Sequence, residues 1–390
     1  MKIWHVTNYF QPDFGYEEYY TSRELSKKHN VTVLTSNLIA KFSGYSKKER
    51  YKKKGVSRID GSLKVVRFGP SFELYSDMVF SFSYFIFMIF RKKPDLIHFH
   101  TITQSFSIFG SMIARLRGIP YVIDNHDFLF ETHALRPDTL SIKNIFKYLE
   151  FKILRLPLSK LSISMSKKVI PMNLSCKNYL INYLNININK VYDGRLCIDQ
   201  TIFKYDINEK DTNNTNIAFI GSMSLRKNIN YYFKLLSNLE ERGINNFNFH
   251  FYIKCSKNYV QEINIMKNNC EFNNIFIHYN LNPNQLAKEL NNISSVIFIS
   301  NNSVALIEAM AKGCYIIAAD LQFSGVFKKY GHAIKKDSLE EAETAMKYFL
   351  QNKKKCLEKA KKGSEYVHKN FSYESYSGDL INLYKNIIYK

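Results

Sequence analysis

The stretch Ser303-Val-Ala-Leu-Ile-Glu308-Ala-Met-Ala-Lys-Gly313 sets one carboxylate among apolar residues in a helical segment. Burying Glu308 beside Leu306, Ile307, Ala309 and Met310 is costly unless it accepts strong hydrogen bonds, which paired ribose hydroxyls would donate. On the solvated stripe of the helix it would need no partner. Gly221-Ser-Met-Ser-Leu-Arg226-Lys227 ends an apolar run and places two cations just before a helix. Cations there oppose the helix dipole and gain by finding an anion; a diphosphate would satisfy both, and the alternative is two solvated cations in a loop. Gly15 holds the same place near the head of the chain, where backbone can approach a ligand and the first helical N–H groups suit a phosphate. His98 and His100, two apart on a strand, share a face, but a metal site would need further ligands. His126-Asp127 follows an apolar strand, where it can contact a substrate hydroxyl or cap a loop.

These residues need elements to hold them. Residues 2–7 read as a strand, 17–29 as a helix and 31–35 as a second strand. The alternation continues through a strand at 96–100, a helix at 105–117, and strands at 120–124 and 168–171. It begins again with a strand at 216–221 and a helix at 228–242, followed by strands at 249–253, 275–278, 296–300 and 315–319. Residues 339–369 read as one charged helix and 372–389 as a last one. Strands alternating with helices imply parallel pairing. The expected fold is therefore α/β, two doubly wound Rossmann-like domains facing a central cleft, with a C-terminal helix crossing back to the first. The expected domains are 1–200, 201–370 and the returning helix 371–390, with the polar stretch 206–214 as linker. In such sheets ligands bind beyond the carboxyl ends of the strands.

Length agrees, since 390 residues suit two cores better than one. The formal charge is +21, and residues 1–200 hold 30 Lys and Arg against 16 Asp and Glu. That excess favours an anionic partner such as a membrane surface, a phosphate-bearing substrate or nucleic acid. No helix-turn-helix, zinc-finger or RNA-binding signature accompanies it, so no specific nucleic acid is expected. Cys176, Cys197, Cys255, Cys270, Cys314 and Cys356 are scattered singly with no CxxC pair, as in a reducing cytosol. The start lacks the apolar run of a signal peptide. The most apolar segment, 79–90, is too short to span a bilayer and is preceded by Asp77 and Glu73. A cytoplasmic protein is expected, and the Lys47 to Lys54 cluster reads as an exposed loop.

Taken together, the motifs resemble the retaining glycosyltransferases of the GT-B fold, specifically glycosyltransferase family 4, nearly end to end. Pro12-Asp-Phe-Gly15-Tyr-Glu-Glu18 stands where that family has a "GGxE" loop, and Pro94-Asp-Leu-Ile-His98-Phe-His100 resembles its "PDxxHxH" strand. Asp124-Asn-His126-Asp127 resembles its "HD" turn, and Leu196-Cys-Ile-Asp199-Gln-Thr-Ile-Phe203 its "NGxDxxxF" entry to the second domain. Gly221 to Lys227 resembles "GRLxxxKG", and Ser303 to Gly313 the "LLEAMAxG" half of an E-x7-E motif.

The resemblance implies roles. Lys227, with Arg226, would hold the leaving diphosphate of a nucleotide-sugar donor and offset the charge that builds as its glycosidic bond breaks. Backbone at Gly15, Gly221, Ser303, Val304 and Ala305 would assist, Glu308 would hold the ribose and His126 would contact the donor sugar. No metal cofactor is implied, and no DxD pair stands ready to bridge a diphosphate through one. Three positions depart from the family pattern: Ser300 stands for the first carboxylate of E-x7-E, Ser222 for the arginine after the glycine, and Tyr16 for the second loop glycine. Retention of Lys227 and Glu308 favours a live enzyme, a metal-independent hexosyltransferase acting on a glycan or lipid-linked acceptor in cell-surface polysaccharide or glycoconjugate synthesis. The alternatives are a catalytically weak binding protein on the same scaffold, or another GT-B enzyme such as a sugar-nucleotide epimerase. Residues 141–168 mix Lys and Arg with Ile, Leu and Phe, which suits either peripheral docking to an anionic membrane or an ordinary surface helix.

Overall fold

The computed structural model describes residues 1–12, 16–40, 50–74, 78–126, 142–205, 214–222, 228–255, 257–300, 303–320 and 327–389. The chain forms two compact units, Met1–Leu196 with Tyr376–Lys390, and Cys197–Ser375.

The first unit is built on β1 (Lys2–Thr7), β2 (Asn30–Ser36), β3 (Gly55–Ile59) and β4 (Leu63–Phe68). A two-stranded pair follows, β5 (Phe72–Glu73) and β6 (Val79–Phe80). The sheet is completed by β7 (Leu96–Phe99), β8 (Tyr121–Asn125) and β9 (Lys168–Pro171). Its order is β3-β4-β2-β1-β7-β8-β9, parallel except for the β3–β4 edge. Between β1 and β7 the winding reverses, which is where doubly wound sheets bind ligands. The strands are continuous apolar runs because helices such as Glu17–Ser26 and Ser105–Leu116 lie between them in sequence and cover the faces. Trp4, Val6, Ile97, Phe99, Tyr121 and Ile123 are buried in one cluster with Phe106 and Ala114.

The second unit repeats the plan with β10 (Asn216–Ser222), β11 (Asn248–Lys254), β12 (Ile275–Tyr279), β13 (Ser295–Phe298), β14 (Tyr315–Ala319) and β15 (His332–Ile334). All neighbours are parallel and the order is β12-β11-β10-β13-β14-β15, so the reversal lies between β10 and β13. Phe219, Tyr232, Phe249 and Phe251 form its aromatic centre, with Phe219 and Tyr232 ring centroids 4.3 Å apart.

Several expectations are revised. The charged helix expected over 339–369 is two helices, Leu339–Gln351 and Lys353–Asn370. The break is at Asn352, whose side-chain amide donates to the Tyr348 carbonyl. Each helix buries its own stripe, Ala342, Ala345, Met346 and Phe349 in one and Cys356, Ala360 and Val367 in the other. The antiparallel β3–β4 hairpin was not anticipated; Asp60 and Gly61 turn it with φ of 49° and 76°, the Asp-Gly signal of a tight hairpin. The apolar segment 79–90 folds as β6 and the helix Phe82–Phe90. Among the described residues no helix is long and apolar enough to cross a membrane. Of the expected 206–214 linker, only residue 214 lies among the described residues; within the basic cluster, Lys52 to Lys54 are exposed and 47–49 lie outside them.

Candidate functional site

In the first unit, ionisable side chains converge at the carboxyl ends of β1, β7 and β8. Strand alternation puts Ile97 and Phe99 on one face of β7 and His98 on the other, with His100 just past its end. β1 pairs with β7 so that His5 lies opposite His98. Asp124 is on β8, His126 follows that strand, and Glu17 opens the helix after β1. Glu17, His98, His100 and Asp124 are buried, while the side chain of His126 keeps 25% of its surface.

The contacts are close. His100 Nδ1 lies 2.5 Å from Asp124 Oδ2 and 3.6 Å from Glu17 Oε2. His126 Nε2 lies 3.4 Å from Glu17 Oε2 and 3.3 Å from Asp124 Oδ1. Outward-facing atoms are fixed by hydrogen bonds. Thr21 Oγ1 donates to Glu17 Oε1 at 2.6 Å, and the Thr101 N–H donates to Asp124 Oδ1 at 2.7 Å. Thr101 has φ of 66°, the left-handed region a β-branched residue avoids. His5 Nδ1 sits 2.9 Å from His100 Nε2, and His98 Nδ1 is 2.6 Å from the Tyr384 hydroxyl.

Burial opposes every charge here, and the mutual field decides which survive. For His100 the Asp124 and Glu17 carboxylates outweigh desolvation and push its pKa up to about 10. His126 is raised well above its usual range in the same way. Burial would raise both carboxyls, but the two imidazoles hold Glu17 and Asp124 below the carboxylate range. Burial lowers His98 and His5, the latter strongly. Glu18, half-buried on the next helical position, is pushed up to about 7 by desolvation.

In the second unit, β10 ends at Gly221-Ser222. A Cβ on Gly221 would meet the Phe219 ring at 2.6 Å, so any other residue there requires that ring to shift. Ser222 is exposed and stands in register with Lys254 at the end of β11. Ser303 precedes the helix Val304–Ala311 in extended conformation, and Ser303, Val304 and Ala305 are half-buried at its first turn. Those first N–H groups have no partner within the helix, as at any helix start. Glu308 is half-buried and burial pushes its pKa up to about 7, with the charge of Lys254 opposing. Gly313 leaves the helix with φ of 69°, and a Cβ there would strike the Tyr205 ring.

Ser300 is 1% exposed and its hydroxyl donates to Asp337 Oδ1 at 2.6 Å. A buried serine whose proton is already engaged cannot stand in for a carboxylate, but it fixes the exposed carboxylate of Asp337 at the end of β13. Gly15, Arg226, Lys227 and Asp127 lie outside the described residues. The structure therefore brings His126 together with Glu17 and Asp124, sets His5 against His100 and Tyr384 against His98, none of the four singled out as a site residue by the motifs, and sets Lys254 near Glu308. His5 carried a readable signal, a polar residue on an otherwise apolar first strand; Tyr384 carried none.

The family model "Glycosyltransferase Family 4" matches residues 19–192. No curated protein sequence matches the chain. Among solved structures, sucrose-phosphate synthase from Thermosynechococcus elongatus superposes with a TM-score of 0.74 at 13% identity, covering 99% of this chain and 98% of that one. HepE from Anabaena, solved in complex with UDP, gives a TM-score of 0.71 at 12% identity and covers 99% and 100%. WaaG, a glycosyltransferase involved in lipopolysaccharide biosynthesis, gives 0.68 at 9% identity and 99% of both chains. Identities this low speak to fold, and the fold they share with both sheets described above is GT-B. Residues 19–192 of the chain are thus similar to the family 4 glycosyltransferases, and the chain as a whole has the GT-B fold.

Proposed function

We propose that this chain transfers a sugar from a nucleotide-diphosphate sugar to a glycan or lipid-linked acceptor, with retention of configuration and no metal bridging the diphosphate. The observation that carries the reading is Glu308, a half-buried carboxyl near Lys254 where the winding of the second sheet reverses. A carboxylate so placed lacks water and gains from paired hydroxyl donors, which a ribose has. Gly221 and Ser222 end the neighbouring strand, where backbone can approach a diphosphate. HepE is solved with UDP and with UDP-glucose, and the same ligand class is proposed for this chain. By its resemblance to the family motif, Lys227, with Arg226, neutralises the leaving diphosphate and His126 meets the donor sugar, with Gly15 and the first turn at Ser303, Val304 and Ala305 lending N–H groups.

Ser300 and Asp337 bear on donor choice. The family's first E-x7-E carboxylate is absent, and Asp337 is the carboxylate that the Ser300 hydroxyl holds nearby. The rival reading, donor binding without transfer, rests on that same substitution. Ile145, Phe146, Leu149, Ile153, Leu154 and Leu161 are exposed on consecutive helical turns of the first unit. With Lys152 and Lys160 among them, they favour peripheral docking to the anionic inner face of the cytoplasmic membrane, where a lipid-linked acceptor would be met.

The test is a thermal-shift panel of UDP-, GDP- and ADP-sugars followed by a transfer assay. A ligand at a hundred times its Kd stabilises by about 2.7 kcal/mol, which in a chain of two such units is a rise of roughly 5–10 °C. Stabilisation by one nucleotide class with transfer lost in Lys227→Ala supports the enzyme. Stabilisation without transfer selects the binding protein, and no stabilisation by any nucleotide overturns both.

A further inference from the structure

We infer that Glu17 is a positioning residue for sugar transfer: with Asp124 it grips Nε2 of His126, so that the Nδ1 edge of the ring donates a hydrogen bond to the transferred sugar. The inference rests on the reading that His126 meets that sugar, and its first test needs no sugar present. Glu17 falls on the x of the "GGxE" pattern and Asp124 precedes the "HD" turn, so the resemblance assigns a role to neither.

Two carboxylates face two imidazoles here. His126 Nε2 stands 3.4 Å from Glu17 Oε2 and 3.3 Å from Asp124 Oδ1. Both carboxylates are fixed from behind, Glu17 Oε1 by the Thr21 hydroxyl and Asp124 Oδ1 by the Thr101 N–H. Asp124 is shared, because its Oδ2 lies 2.5 Å from His100 Nδ1. Two carboxylates and two imidazolium ions cancel, an arrangement that a dry interior tolerates. Without Glu17 a single carboxylate would serve both rings. The shorter His100–Asp124 contact would keep that pair, and His126, facing a pair of no net charge, would return toward its ordinary behaviour.

The proton count of His126 decides what it can do. Held at Nε2 by anions, a neutral imidazole keeps its one hydrogen there and offers Nδ1 only as an acceptor; with a second proton Nδ1 donates. Burial opposes that charge, but Asp124 and Glu17 overcome it and raise the pKa well above the usual range. Other groups face the cluster from the elements around it. Burial keeps His5 on β1, His98 on β7 and Tyr384 on the last helix, Tyr373–Ile388, uncharged near neutrality. Glu18, which burial pushes up to about 7, adds negative charge as pH rises and so favours the same proton. Nε2 of His126 is buried between the carboxylates, whereas Nδ1 has no hydrogen bond among the described residues and is left to a ligand. A charged N–H there binds a sugar oxygen more strongly than a neutral one. It also excludes His126 as the base that takes the proton of the acceptor.

The experiment uses the full chain without a histidine tag. Its imidazoles are titrated by NMR after isotopic labelling, with His126→Gln identifying the resonance. In the wild type His126 should stay protonated well above the usual histidine range. In Glu17→Gln its pKa should fall back to about 6.5, and Glu17→Asp should recover most of the loss. Use of the UDP-, GDP- or ADP-sugar selected by thermal shift is then followed against pH, as transfer rate or as affinity relative to the bare nucleotide. Glu17→Gln should approach the wild type near about pH 6 and fall at least roughly tenfold below it near about pH 8. Damage to the fold would instead lower it at every pH. A wild-type His126 that titrates near about 6.5 overturns the proposal, and this arm needs no variant to fold. So does a His126 unmoved in Glu17→Gln, or a variant with the pH dependence of the wild type. A wild type that binds no nucleotide sugar fails the donor reading, and the role of Glu17 with it, while the titration still reports the grip on His126.

Discussion

Glu308 shows how one side chain can carry a testable energetic signature. Its folded pKa is about 7, raised by burial above the ordinary 4.5. The folded state therefore holds the proton more tightly than the unfolded chain, and unfolding stability falls as pH rises between those values. Above pH 7 the penalty is complete and constant. Urea unfolding of the nucleotide-free protein should show that slope, and Glu308→Gln should flatten its share of it and raise stability at pH 8. The same variant should weaken nucleotide binding by roughly ten- to a hundredfold, the loss of hydrogen bonds to a charged acceptor. A variant that binds nucleotide as the wild type does would place the ribose elsewhere. At this scale the sequence was informative about identity and silent about environment. Glu308 was visible as a carboxylate among apolar neighbours, but the same spacing fits a solvated stripe. Only the packing of its helix against β13 and β14, with Lys254 at the end of β11 close by, decides between them.

At the scale of elements, glycines at the ends of strands and helices do the positioning. Gly221 lies against the Phe219 ring and Gly313 adopts φ of 69° beside Tyr205. Gly221→Ala should cost about 1–3 kcal/mol through overpacking, and Gly313→Ala a similar amount through strain and the Tyr205 clash. Denaturant midpoints measure both; Gly221→Ala at wild-type stability would mean that Phe219 has room to move. Element identity was largely legible because β1, β7, β8, β10 and β14 are short apolar runs separated by helical spacing. Three features were not. The break at Asn352 depends on two helices burying different stripes, which a continuous charged pattern conceals. The β3–β4 hairpin hides its signal in one Asp-Gly step within a basic region, and the three-residue β15 is too short for any periodicity.

Across the whole chain, contacts between distant segments complete what local pattern cannot. The last helix, Tyr373–Ile388, joins the first unit from Tyr376 onward. There Tyr384 meets His98 across a separation of 286 residues, and Arg195 pairs with Asp379 at 2.5 Å. Tyr384→Phe should leave His98 Nδ1 buried without its partner and destabilise the protein by about 1–3 kcal/mol. A smaller effect in thermal unfolding would mean that water reaches His98. Truncation before Tyr376 should cost far more, because Tyr376, Leu380 and Tyr384 are all buried.

The amino-acid sequence alone determined the α/β class, the repeated winding and the family resemblance. These follow from periodicity and from motif order, and both are properties of neighbours along the chain. Tertiary structure decided that His5, Glu17, His100, Asp124 and His126 meet. They come from three strands and a helix whose adjacency is set by the β2-β1-β7-β8 order, and no local spacing encodes that order. It decided too that Ser300 is spent on Asp337, a partner 37 residues away. Side-chain chemistry is written residue by residue, whereas burial, and with it the cost of leaving a charge unpaired, exists only once the sheets close over it.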